Sequence, residues 1–223
     1  MIKLERTSVM NIENAIRGMR NPLGSWDKSD SELRIMNPDD VEFGYEPNYE
    51  YIIGENDLAL AKKLCAAGSD HRKFMRQIFV SVDITAPLYW WKEYDTYKVG
   101  TAANSCSTMH TLHKQELTEG NFSFERVDRS DIFAVRTIEN LLFTLNHLRE
   151  KYAETGEVSY WEGLIQLLPS SFNQMRTCTL NYENLMNIYH ARKNHKLAEW
   201  REFCGWIEGL PYARELICGG EEV

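Results

Sequence analysis

Residues 168–192 read LPSSFNQMRTCTLNYENLMNIYHAR, and the reading of this stretch decides the rest. Pro169 closes the helix that the spacing predicts over Tyr160–Leu168, because proline lacks the N–H a helix interior needs. A second helix is expected over Tyr182–Lys193, with Asn181 at its start, where an amide side chain can satisfy the exposed N–H groups. Asn181, Asn187 and Arg192 follow one another at spacings of six and five. The two amides offer both donors and acceptors, and an arginine fork suits a phosphate or a polar ring edge.

Downstream, another helix is expected over Leu197–Glu208. Upstream, Ser130 reads as the N-cap of the longest helix, Asp131–Thr155, which Gly156 ends. Its apolar positions Phe133, Ile138, Leu141, Leu142, Leu145 and Leu148 keep helical spacing. It is expected to pack against the helices at Leu185–Arg192 and Ala198–Ile207. Gln77–Thr85 sets Ile78, Val80, Val82 and Ile84 against Phe79, Ser81 and Asp83, a period-two strand. Pro87 then permits a helix carrying Tyr89, Trp90, Trp91 and Tyr94. Nearer the N-terminus, Ile2–Val9 reads as a strand and Asn11–Met19 as a helix. Arg20–Asn48 reads as a long polar loop. Asn56 is placed to cap a helix through Ala66, with Gly68 just past its end. There is no repeat and no low-complexity tract, so residues 1–223 are expected to form a single α+β domain, a small sheet with a dominant helical layer.

Hydrophobic residues make up 43% of the 223, enough for a sizeable core. No apolar run approaches the roughly 20 residues that span a bilayer, and Met1–Arg6 is not an apolar leader. A cytoplasmic location is expected. The five cysteines, at 65, 106, 178, 204 and 218, are odd in number and lack CxxC spacing, which points to reduced thiols. Cys106, His110 and His113 fall at i, i+4 and i+7 and would share one face of a helix, but no fourth ligand is evident and no metal is expected. A formal charge of −8 argues against a nucleic-acid polymer. It leaves room for a nucleotide, whose phosphate needs only two or three well-placed cations.

Three segments resemble the flavin-dependent thymidylate synthases. The stretch 168–192 resembles that family's LP…N-x-R-x-L-x-N-F-L…R segment without a gap, with Asn181, Leu185, Asn187 and Arg192 on family positions. Ala198-Glu199-Trp200 then resembles its A-Q-W-E. The second segment, His71–Trp91, is similar to the family's histidine, strand, Ala-Pro and aromatic helix. The third should hold the family signature, Arg-His-Arg, seven residues, then Ser. In register stand Thr96-Tyr97-Lys98, seven residues, then Cys106. Further departures are Glu93 for Gln, Asn104 for Glu, and Thr108, Ile165 and Glu183 for arginines.

The resemblance implies a flavin-dependent thymidylate synthase-like fold and a homotetramer holding FAD at subunit interfaces. It implies reductive methylation of dUMP or a related pyrimidine nucleotide, with NADPH and methylene-tetrahydrofolate as co-substrates. It places His71, Lys98, Asn181, Asn187 and Arg192 on the cofactor, and Tyr97, Asn104 and Cys106 on the substrate. Arg192 and Cys106 are the candidates for a catalytic role; a thiol at Cys106 near a helix N-terminus would be an activated nucleophile. The alternative is a homologue that keeps the fold, binds a nucleotide or flavin, has lost catalysis and serves a regulatory or interaction role.

Overall fold

The computed structural model describes residues 2–219. In chain order these form β1 (Lys3–Met10), α1 (Ile12–Met19), β2 (Glu32–Ile35), α2 (Pro38–Glu42), β3 (Tyr49–Ile52), α3 (Glu55–Ala66), β4 (Phe79–Pro87), α4 (Leu88–Tyr94), β5 (Ala102–Ser105), α5 (Thr108–Thr111), α6 (Ile132–Thr155), α7 (Val158–Gln166), β6 (Asn173–Asn181), α8 (Tyr182–Arg192), α9 (Ala198–Glu208) and α10 (Ala213–Leu216). A four-stranded sheet has the order β1-β4-β6-β5, and a two-stranded sheet pairs β2 with β3. The fold is α+β, with helices outweighing strands. Among the described residues no helix is long and apolar enough to cross a membrane.

The chain folds into two compact units, and β1, β4 and β6 each pass from one to the other. The first unit takes the chain up to Arg6, Val82–Lys98 and Ala102–Cys178. Its helix α6 starts because the Asp131 carboxylate accepts the N–H groups of Phe133 and Ala134, the usual remedy for unpaired donors at a helix start. The cap is thus Asp131 and not Ser130. Gly156 ends the helix at φ 71, a conformation that costs glycine little. Ile138 and Leu145 are its buried positions, whereas Phe133 and Phe143 stand 77% and 75% exposed. Leu145 joins Leu112, Leu117, Phe122 and Leu164 in an apolar cluster. The Asn146 amide clamps Leu117 from above, accepting its N–H and donating to its carbonyl. The helix partner of α6 in this unit is α7. Helices α8 and α9, against which α6 is expected to pack, belong to the second unit.

The second unit takes Thr7–Ser81, Val99–Thr101 and the chain from Thr179 onward. Here α8 packs on α9, burying Tyr182, Leu185, Ile188, Trp200, Phe203 and Ile207. Asn181 ends β6 and caps α8: its side chain accepts the N–H of Asn184, and the Asn184 side chain accepts the N–H of Asn181. This reciprocal box satisfies two donors at once. Strand β6 itself is not legible from the sequence, because NQMRTCTLN interleaves polar residues on both faces.

The stretch expected as a loop over Arg20–Asn48 holds β2 and α2, and β3 follows at Tyr49. Its strands pair antiparallel, Glu32 opposite Ile52 and Ile35 opposite Tyr49. The loop before them caps α3 from outside. Asp30 accepts the N–H groups of Asn56 at 2.8 Å and Asp57 at 3.1 Å. Gly54, not Asn56, is the N-cap residue, and a Cβ there would lie 2.3 Å from the Asp30 carboxyl. Asp57 is fully buried and accepts from Arg20 Nε at 2.5 Å and from the Ser29 and Ser31 hydroxyls at 2.6 Å each. Burial pushes its carboxyl up, but the bonds from Ser29, Ser31 and Arg20 together outweigh that and hold it below the usual carboxylate range.

Asp57→Ala leaves the Arg20 guanidinium buried without its partner, and is expected to cost about 3–5 kcal/mol. Because the folded carboxyl titrates below the unfolded one, this stabilisation is present above about pH 4 and is lost as pH falls further. Urea unfolding midpoints measured across pH 3–7 in roughly half-unit steps, on wild type, Asp57→Ala and Asp57→Asn, check both points: the acid limb should be flatter in the variants.

Candidate functional site

The turn at residues 70–77 divides two cavities of the second unit. On one side lies a cavity of about 450 Å³, lined by Asp70, His71, Lys73, Phe74 and Gln77 together with the 18–25 segment. On the other lies one of about 670 Å³, lined by Arg72 from the same turn, Lys62 and Ala66 from α3, Met186, Asn187, His190 and Ala191 from α8, and Leu216. Gly68 lets the chain leave α3 at φ 102, and the N–H groups of His71 and Arg72 both donate to its carbonyl. Both volumes fall within the few hundred to a thousand cubic ångströms typical of small-molecule sites.

The candidate residues fall as follows. His71 is exposed on the rim of the first cavity. Asn187 is exposed on the wall of the second. Asn181 is buried and its amide oxygen serves the capping box. Gly100, at φ 77, approaches so closely that a Cβ there would sit 3.3 Å from the Asn181 amide nitrogen. The Asn184 amide holds the same turn by donating to the Val99 carbonyl at 2.7 Å. Arg192 stacks its guanidinium 4.8 Å over the Trp200 ring, a cation–π contact that orients the fork.

The other candidates belong to the first unit. Tyr97 is half-buried and Lys98 exposed, in the short turn after α4. Asn104 is exposed on β5. Cys106 follows β5, exposed, with its Sγ 3.9 Å from the Thr111 hydroxyl. Its N–H donates to the Met175 carbonyl. The segment from Cys106 to His113 is not one helix: α5 spans four residues and a tighter turn at Leu112–Lys114 follows. The i, i+4, i+7 face is therefore not formed, and among the described residues no three His, Cys, Asp or Glu side chains group to hold a metal ion.

Two features escaped sequence reasoning. Glu183, standing where the resemblance expects an arginine, accepts from Arg72 Nε at 3.2 Å and from Arg76. The bond from Arg76 holds the Glu183 carboxyl below its ordinary range; partial burial opposes this and Arg72 reinforces it. Arg72 and Arg76 of the 72–76 turn are thus both met by one carboxylate from α8. The second feature is Arg176 on β6, which bonds Asp95 and Gln174 and lies 4.1 Å over the Trp91 ring. No spacing rule relates residues 81 positions apart.

Exposure also sorts the thiols. Burial pushes Cys65 and Cys204 up to about 12 and Cys178 up to about 11. Thiol labelling of the native protein at pH 8 is expected to modify Cys106 first and to leave these three intact until unfolding, which peptide mapping of the labelled sites checks.

No protein-family model and no curated protein matches this sequence. Solved structures do. Thymidylate synthase X from Helicobacter pylori, solved with FAD and dUMP, is similar over 100% of both chains at 14% identity, with a TM-score of 0.68. A flavin-dependent thymidylate synthase from Helicobacter pylori, also complexed with FAD and dUMP, is similar over 96% of this chain and 97% of its own, at 15% identity and a TM-score of 0.66. The chain therefore has the fold of these thymidylate synthases.

Proposed function

We propose that this chain is a divergent flavin-dependent thymidylate synthase that methylates dUMP or a related pyrimidine nucleotide. The observation that supports this is the end-to-end likeness in fold to proteins solved with FAD and dUMP. The donor set of the second unit suits such a cofactor. The larger cavity offers an apolar floor at Ala66, Met186 and Leu216, an amide at Asn187 and a guanidinium at Arg72, which is what a flat ring with an anionic tail requires. In this reading Asn187 meets FAD from the larger cavity, while His71 on the first cavity, Arg192, Lys98 and the capping residue Asn181 are the further cofactor candidates. When bound and reduced, FAD supplies the hydride chemistry, with NADPH and methylene-tetrahydrofolate as co-substrates. Tyr97, Asn104 and Cys106 are the candidates for orienting the nucleotide.

The chain's own contribution is mainly electrostatic. An anion reaching Arg72 competes with Glu183 for it. Binding is thus weakened by the contact that keeps Arg72 and Arg76 in place. This same contact favours the second reading, a fold-retaining protein that binds nucleotide or flavin without catalysis. Thr96 and Thr108, in place of arginines, point the same way, since each lost charge-assisted bond is worth about 1.5–3 kcal/mol.

The visible spectrum of the purified protein decides the cofactor. A flavin band near about 450 nm is expected. Tritium release from labelled dUMP with folate and NADPH then separates the two readings. Turnover supports the synthase; flavin without turnover supports the silent homologue; neither band nor turnover sinks the synthase, and failure to bind dUMP in a direct titration then sinks the homologue as well.

The same proposal carries a homotetramer, in which the exposed Phe133, Phe143 and Leu167 find cover. Light scattering should give a particle well above the 26.0 kDa of one chain. A monomer at micromolar concentration would contradict the assembly.

A further inference from the structure

We infer that Arg176 is the positioning residue for the turn at Asp95–Lys98, and through it for the nucleotide end of the site proposed above, a role that rests on that reading. The resemblance expects its signature cations in this turn, and the chain offers Thr96 and Lys98. A guanidinium nevertheless reaches the turn, delivered from strand β6. Arg176 Nη1 donates to Asp95 Oδ1 at 3.0 Å, and Nε donates to Gln174 Oε1 at 3.0 Å. The guanidinium lies 4.1 Å over the Trp91 ring, whose Nε1 donates to the Gln174 carbonyl at 2.9 Å. Only 14% of the Arg176 side chain is exposed.

The far end of the same segment is held by the same strand. Gln174 Nε2 donates to the Cys106 carbonyl at 2.9 Å, and the Cys106 N–H donates to the Met175 carbonyl at 2.9 Å. Three consecutive residues of β6 therefore fasten both Asp95 and Cys106. At the Cys106 end the tie is an amide and a backbone bond. At the Asp95 end it is one ion pair, and Tyr97 and Lys98 follow two and three residues later. A planar fork stacked on an indole and bonded on two edges has one orientation. Removing its charge leaves the Asp95 carboxylate without its tie to β6 and so loosens the turn that carries Tyr97 and Lys98, whose own contacts remain. Tyr97 and Lys98 are read as holding the nucleotide equally in ground and transition states, so loosening them raises KM and leaves kcat.

The test uses the full-length protein. Arg176→Met keeps the volume over Trp91 and removes the ion pair; Arg176→Lys keeps a charge toward Asp95. Hydrogen exchange at residues 95–98 is measured with no ligand added, and far-ultraviolet circular dichroism checks that the fold survives. The expected result is exchange at least about tenfold faster in Arg176→Met with the circular dichroism unchanged, and partial recovery in Arg176→Lys. The KM for dUMP should rise roughly tenfold to a hundredfold with kcat nearly unchanged. Asp95→Asn should reproduce both effects, and the double variant should be no worse than either single one. Unchanged exchange at 95–98 in Arg176→Met overturns the inference. So does equal loss of order across the whole chain in both variants, which marks Arg176 as ordinary core. Faster exchange at 95–98 in a protein that binds no dUMP even as wild type supports the positioning role while the reading as a synthase fails.

Discussion

The handover at Asn181 is the constraint on which most of the second unit depends. One residue ends β6 and begins α8, and its amide and that of Asn184 exchange bonds so that neither chain end is left with bare N–H groups. A helix started this firmly fixes the azimuth of everything on it. Leu185 and Ile188 face the core, Asn187 faces the larger cavity, and Glu183 faces the 72–76 turn. Shift the cap by one residue and each of these turns by about 100°. The Val99–Gly100 turn sits against the same amides, so the identity of residue 181 governs a loop as well as a helix.

Charge explains how the unit tolerates sequence that departs from the pattern it resembles. At 183 a carboxylate replaces an expected guanidinium, and two guanidinium groups stand opposite. In the first unit Thr96 lacks a cation, and Arg176 brings one to its neighbour Asp95. In both places a charge is met from another element. Such rearrangements leave local stability intact while altering what a phosphate would encounter.

The legible part of the fold was the part with a period. Strand β4 alternates, α6 repeats at helical spacing, and glycine and proline mark their ends, so these elements were found with small shifts at their termini. Strand β6 was missed because its face toward the core holds Cys178 and Leu180 while Arg176 lies on the same side of the pleat. That arginine is accommodated by Trp91, Asp95 and Gln174, partners the sequence does not place together. The β2–β3 hairpin was hidden because its strand residues are largely exposed, which erases the alternation that burial imposes. The site residues were legible only through resemblance. Their side-chain commitments, such as the buried amide of Asn181, follow from long-range packing.

The external cap on α3 has a consequence for how this chain can change over generations. A helix that carries its own cap can be moved or lengthened as a cassette. Helix α3 instead borrows its first hydrogen bonds from Asp30, its entry glycine is crowded by the same residue, and Ser29 and Ser31 reach the Asp57 within it. Residues in a stretch that resembles disposable loop are thereby tied to fixed partners 26 to 28 positions away. Insertions and deletions are tolerable between Ile35 and Tyr49, where the chain is exposed, and not between Arg20 and Ser31. Drift in this segment should therefore be lopsided, free at the hairpin tip and frozen at its base.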